Sequence, residues 1–154
     1  SADFDMFRHQ WESRMSYLTA QILLHRNDVG QAEKHIQKSL ERAQREHMRK
    51  REGSYLRLLG KLQVGRNEYD NAINTLNKAI SILKDVGNPR LLWETHSSLA
   101  LAFEQAGRSS EARKNWSLAA DLIDGIANNL SDVKLKSDFL GAKQIREILS
   151  NSVA

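Results

Sequence analysis

The 154-residue sequence has no cysteine, one proline and only eight glycines. Without cysteine there is no disulfide framework, no thiolate metal site and no cysteine nucleophile, and the expectation is a reducing, cytoplasmic setting. β architectures need Gly and Pro at closely spaced turns, so a single proline points to helices. No run approaches the roughly 18 consecutive apolar residues that would cross a membrane. The N-terminus lacks the basic-then-apolar layout of a secretory signal, so the chain reads as soluble and without a membrane partner. It opens on Ser1 instead of Met, which reads as a processed chain or a piece of a larger protein.

Chemistry-bearing motifs are also missing. The five histidines (His9, His25, His35, His47, His96) contain no pair at i,i+3 or i,i+4, and there is no HExxH, GxxxxGK or GxGxxG. Asp3 and Asp5 flank Phe4 with no further carboxylates beside them. Ser97 and Ser98 adjoin His96, but neighbours along a helix point in different directions and do not form a nucleophile and base. The expectation is a non-enzymatic chain with no catalytic residue, metal ligand or cofactor.

What is present is positive charge in one region. The net charge is +4, yet residues 34 to 66 hold ten basic residues (Lys34, Lys38, Arg42, Arg45, Arg49, Lys50, Arg51, Arg57, Lys61, Arg66) against Glu41, Glu46 and Glu52. The rest of the chain is net acidic. Such a window has two readings: a phosphate-binding patch, which would make the chain a nucleic-acid-binding helical repeat, or a solvated helix face with i,i+4 pairs. The second is the commoner arrangement, so nucleic acid is the alternative partner and protein the expected one.

An internal repeat organises the remainder. Ala32, Ala72 and Ala112 lie 40 residues apart, and other columns fall into the same register: Thr19, Leu59, Leu99; Ala20, Gly60, Ala100; Ile36, Leu76, Trp116; Ser39, Ala79, Ala119; Ala43, Leu83, Ile123. Asn27, Asn67 and Gly107 separate two blocks in each unit, and all three tolerate the left-handed backbone that ends a helix. Each unit therefore reads as two antiparallel amphipathic helices. Ser109 is the expected N-cap of the last of these, and Gly87 with Pro89 marks the joint before the third unit. The second helix of the first unit, from about Val29, meets no such breaker and is expected to run on through Arg45 to Arg51.

The segments LLGKLQVGRNEYDNAINTLNKAI and SLALAFEQAGRSSEARKNWSLAA resemble tetratricopeptide repeats. The third unit keeps Leu99, Ala100, Phe103, Gly107, Ala112, Trp116 and Ala119 of that signature. The second has Gln63 and Asn67 where an aromatic and a glycine are usual, and the first keeps mainly Ala20, Ala32 and Ile36. The period exceeds the usual length of about 34, whereas HEAT and armadillo repeats of about 40 to 47 residues lack the Leu-small and Ala pairing. The resemblance implies an all-α fold: a right-handed α-solenoid of antiparallel helix pairs, with repeats over 13–52, 53–92 and 93–127 and a cap over 130–150. The phrase SDFLGAKQIREIL is similar to tails that close repeat arrays in large bacterial signalling ATPases and transcription activators. That likeness implies a domain of a signalling or regulatory protein.

In such a fold the first helix of each pair lines a concave groove that holds a peptide or a partner's helix. By register the groove candidates are Arg14, Tyr17, Gln21 and Leu24, then Ser54, Arg57, Lys61 and Val64, then Glu94, Ser97, Leu101 and Glu104. Arg57 and Lys61 lie four apart and suit a carboxylate. The clamp that chaperone-binding relatives use for a C-terminal carboxylate is missing: its positions hold Tyr17, Gln21, Leu58, Glu94 and Ser98. At the N-terminus, Phe4, Phe7, Trp11, Met15, Leu18 and Ile22 form a helical stripe at the open end of the stack, a candidate surface for homodimer formation. At the other end Leu130, Val133, Leu135, Phe139, Leu140, Ile145, Ile148 and Leu149 are expected to form capping helices.

Overall fold

The computed structural model describes residues 2–153, apart from the side chains of residues 2–6, 9, 10 and 13. The described residues form eight helices and no strand: α1 (Ala2–His25), α2 (Val29–Arg45), α3 (Arg49–Gly65), α4 (Tyr69–Val86), α5 (Pro89–Gln105), α6 (Ser109–Asn128), α7 (Val133–Gly141) and α8 (Lys143–Ser152).

Left-handed residues punctuate the first six helices. Asn27, His47, Asn67, Gly87 and Gly107 all have φ between 53° and 74°, and they fall 20 residues apart. At each, the following N–H reaches back to a carbonyl five residues earlier: Asp28 to Leu23, Met48 to Ala43, Glu68 to Gln63, Asn88 to Leu83 and Arg108 to Phe103. This is the Schellman closure of a helix C-terminus. The residue that completes each closure is also the N-cap of the next helix. Asp28 and Asn88 serve with their side chains, accepting from the N–H of Gln31 and Leu91, and Pro89 occupies the first helical position after Asn88.

Two sequence expectations change here. The first unit's second helix does not run to Arg51, because His47 takes a left-handed conformation and α3 starts at Arg49. Packing of α3 against α2 outweighs the cost of about 1 kcal/mol for a non-glycine residue there. Ser109 is not a cap but the first residue of α6, and Arg108 holds the cap position without a side-chain bond. The helix pairs open at Arg49 and Pro89, so repeat limits at 53 and 93 fall inside α3 and α5. Register aligns columns without locating turns.

Successive helices pack in chain order, and α1, α3 and α5 also touch in series. Among the described residues no comparable contact joins α2 to α4 or α4 to α6. The first helices of the pairs are therefore drawn together on the inner side, which makes that side concave. The core is a succession of clusters that each bridge neighbouring pairs. Ala20, Ala32, Ile36, Tyr55 and Leu58 join α1, α2 and α3; Leu76, Leu83, Leu99 and Phe103 join α4 and α5; Trp93, Trp116, Ile123, Ile145 and Ile148 join α5, α6 and α8. At Gly60 a Cβ would stand only 2.5 Å from Leu76 Cγ, so this small residue admits the close approach of α4.

The ends differ. α8 packs on α6 and supplies buried Ile145 and Ile148, taking the place of a further inner helix. Val133 and Leu135 of α7 remain exposed and do not cap. At the opposite end Phe7 (62% exposed), Trp11 (58%), Met15, Leu18 and Ile22 are open to solvent. The side chain of Phe4 lies outside the described residues.

Candidate partner-binding groove

The 40-residue register that stacks the helices also places their polar inner residues side by side. Arg14, Tyr17 and Gln21 of α1, Arg57 and Lys61 of α3, and Glu94 of α5 line one cavity of about 760 Å³. Leu101 and Glu104 lie outside it. Leu101 is exposed, and Glu104 Oε1 accepts from Trp116 Nε1 at 2.7 Å, tying α5 to α6. Of the other register candidates, Leu24 and Val64 pack against the core. Ser54 lines the cavity, but its hydroxyl donates to the Lys50 carbonyl, as that of Ser97 does to the Glu94 carbonyl. Lys50, Arg51, Arg90 and Gln144 complete the wall. The groove candidates drawn from the register omit these four, although Lys50 and Arg90 occupy one repeat column and Gln144 lies in the first turn of the cap helix.

Arg57 is the centre of this wall and is only 5% exposed. Its Nη2 donates to the Tyr17 hydroxyl and stands 3.1 Å from Glu94 Oε2, so one guanidinium ties α1, α3 and α5. Its buried Nε has no hydrogen-bond partner. The side chain is thus neither simply solvated nor a fork held open for a ligand. Glu94 is shared, because Arg90 Nε lies 3.3 Å from its other oxygen.

Around that tie the charge is one-sided. Six cations (Arg14, Lys50, Arg51, Arg57, Lys61, Arg90) face Glu94 alone. No carboxylate among the described side chains forms an ion pair with Arg14, Lys50, Arg51 or Lys61. Lys61 is reached by water yet walled by the concavity. Its ammonium pKa is held below the ordinary lysine value, first by desolvation and then by the neighbouring Arg57 charge, with Glu94 opposing.

The basic window of residues 34 to 66 therefore divides. Arg42 pairs with Glu12 and Glu46, Arg49 with Glu52 and Asp85, and Arg66 with Glu33. Lys50, Arg51, Arg57 and Lys61 instead turn into the groove.

Beyond Lys61 the groove becomes mainly apolar, although His25, Arg26 and Asn27 also line it. A second hollow of about 710 Å³ is walled by Leu18, Ile22, Leu24, Leu58 and Leu62, and shares Leu18, Gln21 and Lys61 with the first. The two form one continuous trough with a cationic stretch and an apolar stretch.

Among the described residues no three His, Asp or Glu side chains are grouped to hold a metal ion, and no helix is long and apolar enough to cross a membrane. His96 is a core residue bonded to Asn115, and His35 Nε2 lies 2.9 Å from the Ser16 carbonyl, linking α2 to α1.

Comparison with known families finds the tetratricopeptide repeat over residues 12–85. No curated protein and no solved structure matches the chain. The matched span holds the first two helix pairs. The third pair, which carries the fuller set of signature residues, lies beyond it. Repeats of this kind are generally protein-protein interaction modules. Residues 12–85 match the tetratricopeptide repeat, and α5 and α6 continue the same plan of stacked helix pairs.

Proposed function

We propose that the chain is a non-enzymatic interaction scaffold that holds a peptide or a partner's helix in the trough formed by α1, α3 and α5. Its setting is a cytoplasmic signalling or regulatory protein. The observation that supports this most is the convergence of Arg14, Tyr17, Gln21, Arg57, Lys61 and Glu94, from three helices, on one cavity. Panning a random peptide display library on the folded chain and mapping the selected peptides by amide chemical-shift changes tests it. Shifts concentrated at Gln21, Arg51 and Lys61 are expected. Selected peptides that map to the outer faces of α2, α4 and α6 overturn it.

The divided basic window weighs against a nucleic-acid surface, because cations partly paired with carboxylates and partly turned into a trough do not track a phosphate backbone.

A second reading, self-association through α1, is favoured by one observation. Forty residues after Met15, Leu18 and Ile22 stand Tyr55, Leu58 and Leu62, which are at most 3% exposed because the preceding pair covers them. The α1 stripe is the same face without that cover. Sedimentation equilibrium is expected to show a concentration-dependent dimer that Trp11→Glu converts to monomer; a wild-type monomer at the highest concentrations removes the idea.

A further inference from the structure

The trough's two stretches specify different chemistry for what lies in them. Within the cationic stretch, Arg14, Lys50, Arg51 and Lys61 form no ion pair with a carboxylate of the described side chains, while the single groove carboxylate, Glu94, is already held by Arg57 and Arg90. Like charges gathered in a concavity repel one another; the Lys61 pKa is lowered first by burial and only second by the Arg57 charge. An anionic ligand relieves that repulsion. A ligand offering only charge would leave the adjoining exposed Leu18 and Ile22 wet.

Resting on the groove reading above, we propose that the trough selects an extended acidic segment of a protein partner in which carboxylates meet Arg14, Arg51 and Lys61 and an apolar side chain enters the hollow between α1 and α3. Three helices packed at about 8 to 10 Å present an inner width of about 20 Å, which about six extended residues span. Carboxylates suit this site better than a nucleic-acid backbone, because the cations converge inside a trough that also supplies an apolar seat, and nucleic acid has no aliphatic group to fill it.

The test uses fluorescein-labelled peptides of about twelve residues, about twice that span, in which Glu alternates with Leu, with Gln-for-Glu and Lys-for-Glu counterparts and a single-stranded oligonucleotide. Anisotropy is read at roughly 0.05 and 0.5 M salt, which shortens the screening length about threefold. The Glu peptide is expected to bind about tenfold or more tighter than its Gln counterpart and to weaken at high salt. Arg51→Glu with Lys61→Glu should lower that affinity by a similar factor, whereas Arg113→Glu with Lys114→Glu, exposed on α6, should not. Circular dichroism and melting of each variant confirm folding. Leu18→Ser, which removes the apolar surface without adding charge, should weaken the Glu and Gln peptides alike, reporting the apolar seat. Equal affinity for the Glu and Gln peptides, with both lost in Leu18→Ser, overturns the acidic preference and leaves the groove reading standing. Glu-peptide binding that ignores both Leu18→Ser and the α3 variant overturns the groove reading as well. Binding of the oligonucleotide in place of every peptide overturns the proposal in favour of nucleic acid.

Discussion

At the scale of single residues, His96 shows how burial sets a proton. Asn115 Nδ2 donates to the Glu111 carbonyl, so its Oδ1 faces the ring and accepts from His96 Nδ1 at 2.9 Å. That bond places a proton on Nδ1 in the neutral and the charged ring alike, so the surroundings set the charge. Burial pushes its pKa below the ordinary value; the Asn115 bond opposes this and the Lys84 charge adds to it. The unfolded chain takes up a proton near pH 6.5 that the folded chain refuses. Stability from this group is expected to be flat above about pH 6.5 and to fall as pH drops toward the depressed folded value. Urea midpoints across that range should show the slope, and His96→Gln should reduce it; an unchanged slope assigns the effect to another group. Gly60 is a steric case. Alanine there gains about 1 kcal/mol of helix propensity but drives a Cβ against buried Leu76, so a net loss of about 1 to 2 kcal/mol is expected. Gly125→Ala, with open space around it, should instead stabilise by about 0.5 to 1 kcal/mol. Equal signs in denaturant melts would refute the packing account.

Among the elements, α8 carries the buried part of the cap, and α7 adds to it only the partly buried Phe139 and Leu140. Ile148 is buried with Trp93, Trp116 and Ile123, whereas Val133 is 84% exposed. Ile148→Ala is expected to cost about 2 to 4 kcal/mol and to redden tryptophan emission, while Val133→Ala should stay within about 0.5 kcal/mol. Matching losses at the two positions would show that the cap is shared. The helices themselves were largely legible in the sequence, because Asn27, Asn67 and Gly107 announce their turns and the small columns Ala32, Ala72, Ala112 and Ala20, Gly60, Ala100 keep their size. The turn at His47 was not, since histidine signals a left-handed backbone far more weakly than glycine or asparagine and no proline follows it. Nor was the Arg57 to Glu94 pair. Charge pairing within a helix follows a fixed spacing, but these residues meet across two helices.

For the whole molecule, the register predicted which helix faces line the trough but not how the trough runs. It passes from Arg14 and Gln21 on α1, through Lys50 to Lys61 on α3, to Arg90 and Glu94 on α5 and Gln144 on α8. Its path slides toward the N-terminal end of α5, which is why Leu101 and Glu104 fall outside. A one-dimensional register has no term for the twist between successive pairs.

The stacking order has a consequence for how the chain comes apart. Each helix touches only its near neighbours along the chain, so loss of order at one end need not reach the other at once. With α8 sealing one end and the α1 stripe open at the other, amide hydrogen exchange should be fastest in α1 and α2 and slowest around α4 and α5. Heating a single chain would then release the α1 wall of the trough first, while α3 to α6 still hold the α3 and α5 walls.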